Sequence, residues 1–100
     1  MIVEQRDYHV HTGKLPELVR LYETEGIELQ QSYLGGFVGA FTTDVGALST
    51  YTALWAYDSY AEREQRRASL QADPDWKDFL ARLQPLLHTQ QNRIFVPTSF

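Results

Sequence analysis

The sequence predicts an α+β fold with the element order β-α-β-β-α-β, and three observations predict it. Period-two alternation marks strands near the start, in the middle and near the end of the chain. Capped helical stretches separate those strands. The 100 residues suit one domain, 1–100, able to bury roughly two-thirds of its unfolded surface. With 43% hydrophobic and 22% charged residues, the composition is that of a globular rather than a disordered protein.

The first strand runs from about Ile2 to Val10, with Ile2, Glu4, Arg6, Tyr8 and Val10 on one face and Val3, Gln5, Asp7 and His9 on the other. Gly13-Lys14 turns the chain into a helix, with Pro16 in the first turn where a missing N–H costs nothing and a stripe of Leu15, Leu18, Val19 and Tyr22. Gly26 is expected to break or end that helix. Ile27 to Leu34 adds one or two turns before Gly35-Gly36 stops it.

A hairpin follows. Phe37, Gly39, Phe41 and Thr43 alternate with Val38, Ala40 and Thr42, and after a turn at Asp44-Val45-Gly46-Ala47 the return strand alternates Tyr51, Ala53, Trp55 and Tyr57 with Thr52, Leu54 and Ala56. Both faces are apolar, yet helices cover only one face of such a sheet. The expectation is that Val38, Ala40, Leu54 and Ala56 pack under the helices while Phe37, Phe41, Tyr51, Trp55 and Tyr57 lie bare. An aromatic patch of that size marks an interface or a ligand site.

Ser59 and Glu62 form a capping box that starts a helix near Tyr60. Its alanine-rich stripe, Ala61, Gln65, Ala68 and Ala72, is expected to face the sheet. Glu62, Arg63, Glu64, Arg66 and Arg67 then form a solvated outer face with i, i+4 pairs such as Glu62 with Arg66. Asp73-Pro74-Asp75 restarts a helix whose stripe is Trp76, Phe79, Leu80 and Leu83. Gln84-Pro85 closes it, and the last strand lies between His88 and Val96.

Several function classes are disfavoured. A net charge of −4 argues against nucleic acid as a partner, since phosphate binding needs clustered positive charge. The lack of cysteine excludes disulfides, thiolate metal sites and cysteine nucleophiles, and fits a cytoplasmic location. The first residues lack the apolar run of a secretory signal, and no stretch approaches the roughly 20 apolar residues of a membrane span. His9, His11 and His88 have no further ligand at a diagnostic spacing, so no metal is expected. No serine sits in a nucleophile elbow, and the glycines form no phosphate loop, so no cofactor is expected either.

Glu4-x-Arg6-x-Tyr8 with Gly13-Lys14, then "LGGFVGAFTTDVGAL", "LWAYDSYAERE", "DPDWKDFL" and "QNRIFVP", together resemble the NIPSNAP family over nearly the whole chain. The resemblance implies a ferredoxin-like unit that pairs into a dimeric α+β barrel, with two sheets face to face. Gln5, Asp7 and Ala53 depart from the family pattern, the last standing where a histidine is frequent. The resemblance brings no reaction with it.

Two groups of residues are candidate ligand contacts. Arg6 and Tyr8 share a strand face, and an arginine there suits a carboxylate or phosphate. Trp55 and Tyr57, with Phe41 across the hairpin, suit an apolar pocket with a polar rim. The expected function is binding of a small, anionic aromatic molecule between the sheets of a homodimer. The alternative is a non-catalytic assembly module whose aromatic face serves self-association alone.

Overall fold

The computed structural model describes all residues from Met1 to Phe100. Strand β1 spans Ile2–Val10, helix α1 Leu15–Leu21, a π-helical turn Tyr22–Gly26, α2 Ile27–Leu34, β2 Phe37–Thr42 and β3 Thr50–Tyr57. Helices α3, Tyr60–Ala72, and α4, Pro74–Leu83, follow, and a 3₁₀ turn at Gln84–Leu86 leads into β4, Leu87–Phe95. The four strands form one antiparallel sheet in the order β2-β3-β1-β4. That is the ferredoxin-like split arrangement, in which β3 inserts between β1 and β2. No helix is long and apolar enough to cross a membrane.

The sheet's covered face is the reverse of the expectation. Tyr51, Ala53, Trp55 and Tyr57 are all buried beneath the helices, in one core with Tyr8, Tyr22, Trp76 and Phe79. Thr52, Leu54 and Ala56 lie on the other, open face and are only half-buried. The larger side chains fill the space between sheet and helices, which small residues such as Ala56 would leave underpacked. On β1 the inner residues are Ile2, Glu4, Arg6, Tyr8 and Val10, in strict alternation.

A second correction concerns β2. Its register against β3 shifts between Phe37 and Gly39, leaving Val38 as an extra, bulged residue. Phe37 therefore pairs with Trp55 and packs on it, with ring centroids 4.9 Å apart. Phe41 pairs with Thr52 on the open face and stays exposed. One inserted residue inverts the parity, so alternation counted through Val38 puts Phe41 on the wrong side.

Helix α3 is also turned from its expected phase. Ser59 Oγ accepts from the Glu62 N–H at 3.1 Å, so the capping box sits where the sequence places it. Ala61, Gln65, Ala68 and Ala72 are nevertheless exposed, while Arg63, Arg67 and Leu70 point inward. Glu62 and Arg66 form the expected pair at 2.8 Å.

Helix α4 follows the prediction, burying Trp76, Phe79 and Leu83. Asp73 links both helices: its N–H donates to the Leu70 carbonyl at the end of α3, and its Oδ1 accepts from the N–H groups of Asp75 and Trp76. Its Oδ2 accepts from the Tyr33 hydroxyl at 2.6 Å, tying the junction to α2. Gly26 does not stop the helix. It lies buried against Phe79, where a Cβ would come within 2.4 Å of the ring. A chain of rings runs from there, with Phe79 edge-on to Tyr22, Tyr22 stacked on Tyr51 at 4.8 Å, and Tyr51 stacked on Tyr8.

Candidate functional site

Strand β1 carries a carboxylate into the core. Glu4 is wholly buried, and burial of a charge is costly unless it is paired and hydrogen-bonded. Three elements supply the partners. Arg63 on α3 donates to both carboxylate oxygens at 3.1 and 2.8 Å, Arg6 on β1 donates at 3.1 Å, and Asn92 on β4 donates at 3.1 Å. Burial alone pushes the Glu4 carboxyl up. The Arg63 hydrogen bond and the positive charges of Arg6, Arg63 and Arg67 outweigh that, leaving it below the ordinary glutamate range.

Three guanidiniums thus surround one carboxylate, and no other acid pairs with any of them. Arg6 turns its Nε to the Tyr8 hydroxyl at 2.8 Å. Arg67 and Tyr57 are neighbours in the core, Arg67 Nη1 and the Tyr57 hydroxyl both being buried without a well-formed hydrogen bond, and the indole N–H of Trp55 has no partner. Burial raises Tyr57 above the usual phenol range, with the Arg67 charge opposing that rise.

Beside this cluster a cavity of about 180 Å³ opens between β1, β4 and the α3–α4 pair. Arg6, Tyr8 and Arg67 form its polar wall; Trp76, Leu80, Leu83 and Leu87 form the apolar one. Exposed Gln71, Gln84 and Gln90 complete the lining. Such a site couples cationic donors to an apolar slot, the combination that suits a small amphipathic anion. A larger, shallower depression of about 510 Å³ lies between α2 and α4, but its Glu25, Glu28, Asp75 and Asp78 are exposed, solvated carboxylates.

Of the residues singled out from sequence, Arg6 and Tyr8 meet in the cavity wall. Trp55 and Tyr57 lie on the same side of the sheet but in the core, Trp55 being wholly enclosed. Phe41 stands on the opposite face, so the structure does not bring it to the others. None of Arg6, Trp55 and Tyr57 faces the open side of the sheet. Arg67, Trp76 and the glutamines were not foreseen as site residues. The spacing of Arg63, Arg67 and Leu70, i, i+4 and i+7, is the signal that marks them as one inward stripe.

The topology and this site define a ferredoxin-like α+β protein with a buried arginine cluster beneath its helix layer. The NIPSNAP family model matches residues 3–100, and the chain belongs to that family. It is similar to the crystal structure of a NIPSNAP family protein from Agrobacterium tumefaciens, with 41% identity and a TM-score of 0.97 over 99% of this chain and 94% of that one. It is also similar to Protein NipSnap of Drosophila melanogaster, 26% identical over 99 residues, and to a NipSnap protein of Caenorhabditis elegans, 35% identical over 63 residues. The chain spans 36% of the fly protein's length, and the worm match covers 12% of that relative.

Proposed function

We propose that this protein binds a small carboxylate in the cavity beneath α3 and α4, and that it does so as a homodimer. The observation that carries the first part is a cavity whose polar wall holds two guanidiniums, Arg6 and Arg67, and no acid. A carboxylate placed between these two guanidiniums meets their positive charge. Its apolar body lies against Trp76 and Leu83. An apolar cavity of about 150 Å³ is enough to take benzene, so a single-ring acid is the size expected here.

The dimer is supported by the open face. Val3, Leu54, Ala56, Phe41 and Phe95 share it with Asp7 and Arg93, which carry opposite charges. Two copies related by a two-fold axis can set Asp7 of one against Arg93 of the other, twice over. Gln5 and Thr52 already donate to Asp7, the latter at 2.6 Å, which holds the carboxylate in place. We keep the cytoplasm as the location, on the absence of cysteine.

Calorimetric titration with benzoate tests the site. Binding by the unmodified protein, and its loss in an Arg67→Met variant whose far-UV dichroism and melting show it folded, is the expected result. No heat of binding, or equal affinity in both proteins, would overturn the site. Light scattering tests the assembly, and a particle of 11.6 kDa at micromolar concentration would overturn it.

A further inference from the structure

We infer that the Tyr8 hydroxyl is a third donor to the ligand and that it selects the ligand's chemistry: a carboxylate with an oxo group on the adjacent carbon, that is, a ring-bearing 2-oxo acid. The inference rests on the cavity reading above and names the ligand class of the same site.

A guanidinium has donors only, so in the 2.8 Å bond between Arg6 Nε and the Tyr8 hydroxyl the phenol oxygen accepts. That bond satisfies Arg6 and leaves the Tyr8 proton free. Gln90 stands opposite Tyr8 on β4, but it turns its amide nitrogen to Asn92 at 3.0 Å and makes no bond to Tyr8. The nearest other phenol is a donor as well. Burial raises Tyr22 most, and its contact with the Tyr8 hydroxyl adds to the rise. A phenol is raised by a neighbouring hydroxyl to which it donates, because ionisation would forfeit the shared proton. Both lone pairs of the Tyr8 oxygen are therefore engaged, by Arg6 and Tyr22, and its proton is left for the cavity that Tyr8 lines.

Arg6 gives Nε to Tyr8 and Nη1 to Glu4, so Nη2 is the nitrogen left wholly free for a ligand. Arg67 reaches the same cavity from α3. Arg6, Arg67 and Tyr8 thus present donors alone, and they match a polar end made of acceptors alone. A carboxylate supplies acceptors for the two guanidiniums. An oxo oxygen on the next carbon is a further, uncharged acceptor, and a phenol is the uncharged donor beside Arg6. A hydroxyl in that place would bring a proton for which none of the three residues has an acceptor. A methylene there would leave the buried Tyr8 hydroxyl without a partner, and a site built to hydrogen-bond a group rejects the analogue that lacks it.

The test compares phenylglyoxylate with phenylacetate by calorimetry at pH 7.5. The second acid replaces the oxo group by a methylene and keeps the ring, the carboxylate and their spacing. The unmodified protein should bind phenylglyoxylate roughly tenfold more tightly. Tyr8→Phe retains the ring that stacks on Tyr51, and in that variant the ratio of the two affinities should fall to about one. Equal affinity for the two acids in the unmodified protein overturns the role of Tyr8, and that measurement needs no variant. A ratio that persists in a folded Tyr8→Phe protein overturns it as well, even where both acids bind more weakly, because Tyr8 would then only hold Arg6 in place. Arg67→Met should weaken both acids alike. If it leaves both unaffected, or if neither acid binds the unmodified protein, the cavity reading fails and this inference with it.

Discussion

Replacing Gly26 with alanine should destabilise the protein by ~2 kcal/mol, although helix propensity alone argues the other way. Gly26 has φ −92° and ψ −42°, an ordinary helical conformation that alanine adopts without strain. In a helix interior the exchange is worth up to ~1 kcal/mol in favour of alanine. The added Cβ, however, would lie 2.4 and 2.6 Å from two carbons of the Phe79 ring, well inside contact distance. Phe79 is 1% exposed, and Tyr22 and Trp76 flank it with centroids 5.0 Å away on either contact. The ring has nowhere to swing. Overpacking of that kind costs about 1–3 kcal/mol, and the severity of this overlap puts it at the upper end. Urea titration of both proteins measures the difference. Repeating the exchange in a Phe79→Leu background should reduce its cost by at least ~1 kcal/mol, because the two sites touch. A Gly26→Ala protein as stable as the parent, or a cost that persists without the ring, would show that the packing between the π turn and α4 is not what holds this glycine.

Three further outcomes are expected. Trp76→Ala should cost ~3–5 kcal/mol through the cavity it leaves, whereas Ser59→Ala should cost ~1 kcal/mol through its lost cap; denaturant titration that reversed this order would contradict the buried face of α4. Glu4 is held below the ordinary glutamate range, so its contribution is complete above its unfolded value of 4.5 and is lost as pH falls through the lower folded value. Melting temperatures between pH 6 and pH 3 should therefore drop more for the parent than for Glu4→Gln. Burial, first of all, raises Tyr22, Tyr51 and Tyr57 above the ordinary phenol value of 10.0. Stability from these groups is present below that value and lost as pH rises through their folded values. Ultraviolet titration should thus show part of the tyrosinate signal appearing only with alkaline unfolding; full ionisation of a folded protein near pH 10 would contradict the ring chain.

What sequence could reveal here was local, and what it missed was set by distant partners. The bounds of β1 follow from alternation, and the starts of α3 and α4 follow from Ser59 and from Asp73-Pro74, whose side chains act on the next three residues. Alternation sorts the β3 side chains into two faces but cannot say which face receives the helices, so it leaves the aromatic side indistinguishable from a bare one. The bulge at Val38 then hid the parity of Phe41. On α3 the small residues suggested the inner face, because close packing favours them. The helix instead turns Arg63 and Arg67 inward, and the reason is a carboxylate 59 residues earlier. Gly26 looked like a helix breaker for the same reason: its neighbour Phe79 belongs to a different helix. Of the candidate contacts, Arg6 and Tyr8 were accessible because two residues on one strand face are necessarily close, while Phe41, Trp55 and Tyr57 depended on the face assignment that failed.

The junction at Asp73 bears on how fast a ligand could come and go. One residue closes α3, opens α4 and holds Tyr33 of α2, with both carboxylate oxygens engaged. Two helices pinned to each other and to a third do not part readily at that end, so the roof of the cavity is not a lid. Traffic falls to the side chains of Gln71, Gln84 and Gln90, which are exposed and reorient on the picosecond to nanosecond scale of surface rotamers rather than the microsecond to millisecond scale of moving helices. Stopped-flow traces should accordingly show a single phase whose rate climbs linearly with ligand concentration and reaches no plateau.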